Sequence, residues 1–302
     1  MNASAPRRAV TLGVFDGLHR GHKALVDRLT SESERRGLVP TVVTLDPHPD
    51  TVLGLAPERP PLTPAATQAA ILAEWGAREF RVLRFDTGLR GTPASDFARD
   101  YLAGALGAQL LVVGPDFALG RDREGTPARM AELGRGLGFE VIQVPPVSDE
   151  GGHLSSSRVR HLLDEGRVTE VAGLLGRPFS TSGRVTSGSG VGAGLGFPTA
   201  NLEPPEPVYL PADGVYMGRA SGGFGVRPCL VSLGTRPTFG PGERVLEVYL
   251  LDFEGNLRDQ PMLLEWLEFH RGQQRFHSPA DLVEQMRLDE VRARQWLAVH
   301  GP

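Results

Sequence analysis

The sequence predicts an α/β domain built on a doubly wound parallel sheet, followed by an antiparallel β-barrel with a terminal helix. Three observations lead there. From Ala9 to about Gly176, short β-branched runs alternate with helical patterns, which implies a parallel sheet covered on both faces. After about Arg177 the chain turns to short extended runs broken by glycine and proline, the pattern of a small antiparallel sheet or barrel. It closes with SPADLVEQMRLDEVRARQWLAVH, a long helical stretch opened by Ser278 and Pro279. The expected domains are therefore 1–176 and 177–302.

The strand candidates of the first half are AVTLGVF, LVPTVVTLD, FRVLRF, AQLLVVG and FEVIQVP. Helical patterns lie between them, and three of these open with Thr-Pro, a capping residue followed by a proline suited to the first turn. In the second half the extended runs are RVTSGS, GVYMGRA, VRPCLVSLG, VLEVYLLDF and MLLEWLEF. In the last helix, Leu282, Met286, Val291 and Trp296 suggest a single apolar face.

Composition narrows the class. With 302 residues, 40% hydrophobic and 23% charged, the chain can bury two cores. Its 38 glycines and 25 prolines are dispersed among periodic segments, so disorder is excluded as the main state. A formal charge of −4 without a basic block argues against nucleic acid or an anionic membrane as partner. No apolar run is long enough to span a bilayer, and the stretch after MNASAPRR is broken at Asp16, unlike a signal peptide. One cysteine, Cys229, excludes an intrachain disulfide and fits a reducing, cytoplasmic setting.

The stretch GVFDGLHRGH, residues 13–22, lies where the first strand gives way to a helix. Helix-opening amides lack intrahelical acceptors and the helix dipole favours an anion, so this is where a phosphate would sit. Gly13, Gly17 and Gly21 admit close backbone approach, and His19 and His22 add donors aimed at phosphoryl oxygens. The ordinary alternative is a tight turn with two surface histidines. Downstream, LSSSRVR (residues 154–160) reads as a second helix start, either a plain cap or a phosphate-holding turn.

GVFDGLHRGH resembles the G-x-F-D-x-x-H-x-G-H signature of the nucleotidyltransferase superfamily, and LSSSRVR resembles its second signature, of the type ISSTxxR. DPHP (Asp46 to Pro49) and VVGPDFALG (residues 112–120) resemble segments of the prokaryotic bifunctional riboflavin kinase/FAD synthetase family. The resemblance implies an FMN adenylyltransferase domain in which Gly13, Phe15, Asp16, Gly17, Gly21, Asp46, His48 and Asp116 belong to the nucleotide and flavin site. Ser155, Ser156, Ser157 and Arg160 would hold the β- and γ-phosphates, with His19, His22 and Arg160 catalytic. Ala118 and Leu119 stand where the family carries an aromatic/basic pair.

In the second half, LGFPTANL (residues 195–202) resembles the G-F-P-T-A-N motif of flavokinases. The resemblance implies that Gly196, Pro198, Thr199 and Asn201 bind nucleotide phosphates, and that Thr199 and Asn201 hold Mg²⁺ through hard oxygens. GTRPTFG and LEVYLLDF also match, and Glu247 falls at the position of the family's catalytic base. An alternating strand would set Glu247, Tyr249 and Leu251 on one face; the plainer alternative is an edge-strand glutamate in solvent. Departures occur at Val191 and Ala193 in the glycine-rich loop, at Ser232, and around residues 258–260.

The expected activity is thus twofold: riboflavin plus ATP gives FMN, and FMN plus a second ATP gives FAD and pyrophosphate. The implied partners are ATP, riboflavin, FMN, FAD and Mg²⁺, with no nucleic acid and no membrane; self-association stays open. A second reading keeps only the adenylyltransferase, with a flavin-binding barrel. A third, a non-catalytic flavin sensor, sits poorly with so many transition-state groups.

Overall fold

The computed structural model describes residues 6–186, 194, 196–235 and 244–300. Val191 and Ala193 of the glycine-rich loop and most of GTRPTFG lie outside the described residues. Contacts divide the chain into two compact units, 1–156 and 157–302, with the division inside the LSSSRVR motif.

In the first unit, five strands form one parallel sheet: β1 (Arg8–Gly13), β2 (Val39–Asp46), β3 (Glu79–Arg84), β4 (Ala108–Val113) and β5 (Glu140–Gln143), in the order β3-β2-β1-β4-β5. All five expected strands are there, with ends shifted by a residue or two. Adjacent residues of one strand pack to opposite sides. Ala9, Val42, Leu110 and Val112 meet Val26 and Leu29 of α1 (Arg20–Arg36) on one face. Val10, Val43, Leu111 and Val113 meet the helices of the other. Strands covered on both sides need no polar face, which is why they read as continuous apolar runs. The order reverses between β1 and β4, and beyond that point lies the ligand crevice of such folds.

The remaining helices of this unit are α2 (Pro49–Val52), α3 (Ala65–Glu74), α4 (Thr87–Gly91), α5 (Ala94–Asp96) and α6 (Pro127–Leu137), with a hairpin of β6 (Ser148–Asp149) and β7 (Gly152–His153). The Thr-Pro expectation holds at α6, where Thr126 accepts from the Arg129 amide. At α3 and α5 the proline itself occupies the capping position and no side chain caps the end. After α5 the expected α-helix widens into a π-helix, Phe97–Ala105, and the Leu106 amide bonds back to Tyr101. The wider turn brings Phe97, Ala98, Leu102 and Leu106 to one buried side.

The second unit opens with α7 (Ser156–Asp164) and α8 (Val168–Leu175) and then forms a closed barrel. Its strands are β8 (Phe179–Thr186), β9 (Ala200–Glu203), β10 (Gly214–Gly222), β11 (Gly225–Thr235), β12 (Arg244–Leu250) and β13 (Pro261–Arg271), in the cyclic order β10-β11-β12-β9-β8-β13. Trp266, Tyr216, Val231, Leu233, Val248 and Leu264 are wholly buried. β9 was not among the expected strands; it grows out of the GFPTAN turn.

The terminal helix α9 (Pro279–His300) is capped as expected, and more fully. Ser278 Oγ accepts from the Asp281 amide, and Asp281 Oδ2 accepts in return from the Ser278 amide. Of its expected face, Leu282, Met286 and Trp296 are half-buried, and the face departs from the expectation at Val291. Val291 is 51% exposed, whereas Asp289 and Ala293 are buried. Asp289 is admitted because Arg271 and Gln285 donate to its carboxylate and His270 Nε2 lies 3.1 Å from Oδ1. Burial alone would raise its pKa; the bonds from His270, Arg271 and Gln285 outweigh that and hold it well below the usual carboxylate range.

Candidate active sites

A cleft of about 880 Å³ opens beyond the carboxyl ends of the parallel strands. It is lined by residues following β1 (Gly13, Phe15, His19), β2 (His48), β3 (Phe85), β4 (Gly114, Asp116) and β5 (Val144), together with Ser155 and Ser156. Sequence position alone separates these residues by more than a hundred places; the sheet gathers them.

At its centre the imidazoles of His19 and His22 stack, with centroids 3.8 Å apart and planes 18° from parallel. Phe15 packs against His22 at 5.0 Å. The H-x-G-H spacing acquires a reason here: a Cβ on Gly21 would stand 3.0 Å from two atoms of the His19 ring. Before the stack, Gly17 and Leu18 both hold positive φ, 80° and 48°. A buried leucine in that conformation is strained, and its complete burial pins it. The turn thereby delivers His19 to the N-cap of α1, whose first-turn amides have no acceptor within the helix and whose first turn has no acidic residue.

Burial lowers the His19 pKa to about 4, so this imidazole is neutral near pH 7, with one ring N–H available to donate. The linkage has a definite sign. Between about 6.5 and 4 the unfolded chain binds a proton that the folded chain does not, so stability falls as pH drops through that window. For a residue 7% exposed, the loss reaches about 3 kcal/mol at its acid end. His19→Asn should flatten this segment of the stability profile in urea denaturation measured from pH 7 to 4.

Not every motif residue faces the cleft. Asp16 is buried, and its Oδ1 accepts from the Thr63 amide, so it ties the turn to the segment before α3. The Asp16 carbonyl in turn accepts from Ser156 Oγ at 2.8 Å, which joins the two signatures. Gly17, Asp46, Ser157 and Arg160 do not line the cleft. Asp46 precedes a cis bond to Pro47, and its carbonyl accepts from the Phe85 amide. His48 Nδ1 accepts from the Asp50 amide at 3.1 Å. A backbone N–H can only donate, so a neutral His48 carries its proton on Nε2. Apolar lining that sequence reasoning missed comes from Leu53, Leu55, Phe85, Leu89 and Phe117. These sit in loops after different strands, and no spacing links them.

The second site is on the barrel. Glu247 of β12 lies directly opposite Asn201 of β9, and opposite Ser232 of β11 on its other side. Directly paired residues share a face, so Asn201, Glu247 and Ser232 form a row across three strands. The alternation is clean: Ala200, Leu202, Leu246 and Val248 are buried, while Asn201 and Glu247 are half-buried. β12 is flanked by β11 and β9, so Glu247 is not an edge residue. Tyr249 follows on the same face and takes Phe197 of the GFPTAN turn edge-on at 5.4 Å. Leu251 lies beyond the end of β12, in the cluster where Val215, Met217 and Leu230 meet Ala293 of α9. Gln273, another residue missed, donates from Nε2 to the Leu233 carbonyl at 2.9 Å and stands 3.4 Å from Ser232 Oγ.

Comparison with known proteins matches both halves of the chain. Residues 1–158 match the FAD synthetase family model and residues 175–297 the riboflavin kinase model. The bifunctional riboflavin kinase/FMN adenylyltransferase of Escherichia coli K12 is 34% identical over 97% of this chain and 94% of its own length. The chain belongs to the bifunctional riboflavin kinase/FMN adenylyltransferase family. A bifunctional relative from Pseudomonas fluorescens is 36% identical over 94% of this chain and 91% of its own. The crystal structure of a Streptococcus pneumoniae protein described as a macrolide-efflux protein superposes with a TM-score of 0.88 at 31% identity, covering 98% of this chain and 96% of that one. That description belongs to the other protein; among the described residues here, no helix is long and apolar enough to cross a membrane. Ala118 and Leu119 both line the cleft.

Proposed function

We infer that the chain makes both flavin cofactors, phosphorylating riboflavin to FMN at the barrel and adenylylating FMN to FAD at the parallel sheet. The observation that carries this is the assembly of both motif sets, one per unit: the stacked His19–His22 pair at the strand ends, and Glu247 set beside Asn201.

In the kinase reaction the ribityl hydroxyl must lose a proton as it attacks the γ-phosphate. Glu247 is the base, held on a central strand. Thr199 and Asn201 would hold the Mg²⁺–nucleotide through a hydroxyl and an amide oxygen. That donor set fits the ion. The described residues contain no cluster of three or more His, Cys, Asp or Glu, and Mg²⁺ takes most of its shell from phosphates and water. When bound, the ion offsets the phosphate charge.

Adenylyl transfer needs no base, because the FMN phosphate is already an anion. The requirement is to bring two anions together and to meet charge growing at the α-phosphorus. Neutral His19, His22 and the opening amides of α1 supply donors for that charge, with Ser155, Ser156 and Arg160 on the β- and γ-phosphates. His48 and Asp116 line the same cleft, where the flavin and adenine also lie. A cytoplasmic setting suits an ATP-dependent enzyme whose only cysteine is buried with its thiol pushed up by burial.

At the departures among the described residues, the adenylyltransferase-only reading gains nothing. Ser232 keeps β11 in register with Glu247, and the Asp259 amide donates to Val185, extending the barrel closure at residues 258–260. The deciding experiment supplies the purified chain with Mg²⁺, ATP and riboflavin and separates the flavins over time. FMN should rise first and FAD follow. Riboflavin left unchanged would reject the kinase assignment, and FMN left unchanged from an FMN start would reject the other.

A further inference from the structure

The loop between β4 and α6 carries two consecutive non-glycine residues with left-handed backbone, Asp122 (φ 55°) and Arg123 (φ 60°). Aspartate tolerates that conformation through its short polar side chain; arginine gains nothing from it, and glycine would fit with less strain. The backbone around them is fixed on several sides. Leu119 and Gly125 exchange both backbone hydrogen bonds, the Arg121 amide donates to the Thr92 carbonyl, and Glu124 Oε1 accepts from the Ala94 amide at 2.8 Å. A Cβ on Gly120 would stand 2.7 Å from the Ala94 nitrogen, so the loop is seated directly on the start of α5. Asp122 and Arg123 both line the cleft. Among the described residues lining it, the permanent cations are Arg90 and Arg123. Arg90 lies in the last turn of α4, where a cation meets helix carbonyls and needs no ligand to explain it. Arg123 has no such setting. Its hydrogen bond runs from Nη2 to the Asp116 carbonyl at 3.2 Å, and no carboxylate among the described residues pairs with it. That bond uses one of five N–H donors and leaves the others to a ligand.

We propose that Arg123 is a substrate-binding residue of the cleft, holding the 5′-phosphate of FMN for adenylyl transfer. A guanidinium edge takes a phosphate through two parallel hydrogen bonds, and that fork is directional, so the cation has to be presented at a set angle. A backbone strained at Arg123 and fixed on both sides does this, and strain of that kind persists only where surrounding contacts over-determine it. The bidentate hold engages two of the three terminal oxygens of the FMN phosphate. The third is left to form the bond to the α-phosphorus of ATP as pyrophosphate leaves. In the cleft, His19, His22, the opening amides of α1 and the serines at 155 and 156 are occupied with the triphosphate, so the second anion calls for a cation of its own. The inference rests on the assignment of FMN adenylylation to this cleft given above.

The test uses Arg123→Gly in the full-length chain, because glycine removes the cation while suiting the left-handed backbone. KM for FMN in adenylylation should rise about tenfold or more, the loss expected for a charged hydrogen-bonding partner. KM for ATP should stay within about twofold of the parent. The midpoint of urea unfolding should not fall, since the substitution relieves the strained position. Riboflavin phosphorylation should be unchanged. Arg123→Lys, which keeps the charge but not the fork, should give a KM for FMN between those of the parent and the glycine variant. A parent-like KM for FMN in Arg123→Gly would overturn the proposal. So would a rise in KM for ATP as large as that for FMN, which would give the cation to the triphosphate. A fall in stability with equal loss of both activities would make the residue structural and overturn it as well. Failure of the parent chain to adenylylate FMN would instead remove the functional reading of the cleft, and the proposal with it.

Discussion

Glu247→Gln should lower the rate of riboflavin phosphorylation about a thousandfold, the span over which a positioned general base acts. Glutamine has the same shape and hydrogen-bonding reach but cannot take a proton. The substitution leaves β12 paired to β11 and β9 and leaves the inward row of Leu246, Val248 and Leu250 untouched, so the barrel should fold as before. Adenylylation of supplied FMN on the same preparation is the control. The measurement is initial FMN formation under saturating ATP. A rate within about threefold of the parent would remove Glu247 from the role of base, since loss of a base cannot be that mild.

His19→Asn should cost about two to three orders of magnitude in adenylyl transfer, comparable with the loss of one preorganised donor from an oxyanion-type site. The magnitude follows from placement. The ring is 7% exposed, stacked on His22, and seated at the N-cap of a helix, so nothing needs to reorganise as charge develops. Water cannot replace such a donor at the same position. FAD formation from FMN and ATP, followed at several pH values, reads the effect. Phosphorylation of riboflavin by the same variant should be unaffected. An equal loss in both reactions would mean that the substitution had unfolded the chain rather than removed a donor.

Much of this architecture was legible in the residues. The inner strands β1, β2 and β4 read as largely apolar runs because both faces of their sheet are covered. The barrel strands showed as short runs between glycine and proline turns. The helix α9 announced its start through Ser278, which caps it. Its packed side showed only in part: Trp296 packs as expected, but the burial of Asp289 depends on Gln285 of the same helix and on His270 and Arg271 of β13, which no apolar period of the helix reveals. Asp16 behaves likewise: a carboxylate inside a phosphate-site motif reads as a ligand until its bond to the Thr63 amide is seen.

By itself the sequence determined the class of each unit and the order of the two chemistries along the chain, and it named the groups proposed to carry them. These depend on local patterns: period, capping, turn chemistry and short motifs, each complete within a few residues. The tertiary structure alone decided which of those groups meet. The row of Asn201, Glu247 and Ser232 depends on strand register, and the apolar lining of the cleft depends on loops from five strand ends. The bond from the Ala94 amide to Glu124, which seats the loop of Arg123, joins residues 30 positions apart. Such contacts are set by how whole elements pack, and no local pattern encodes them.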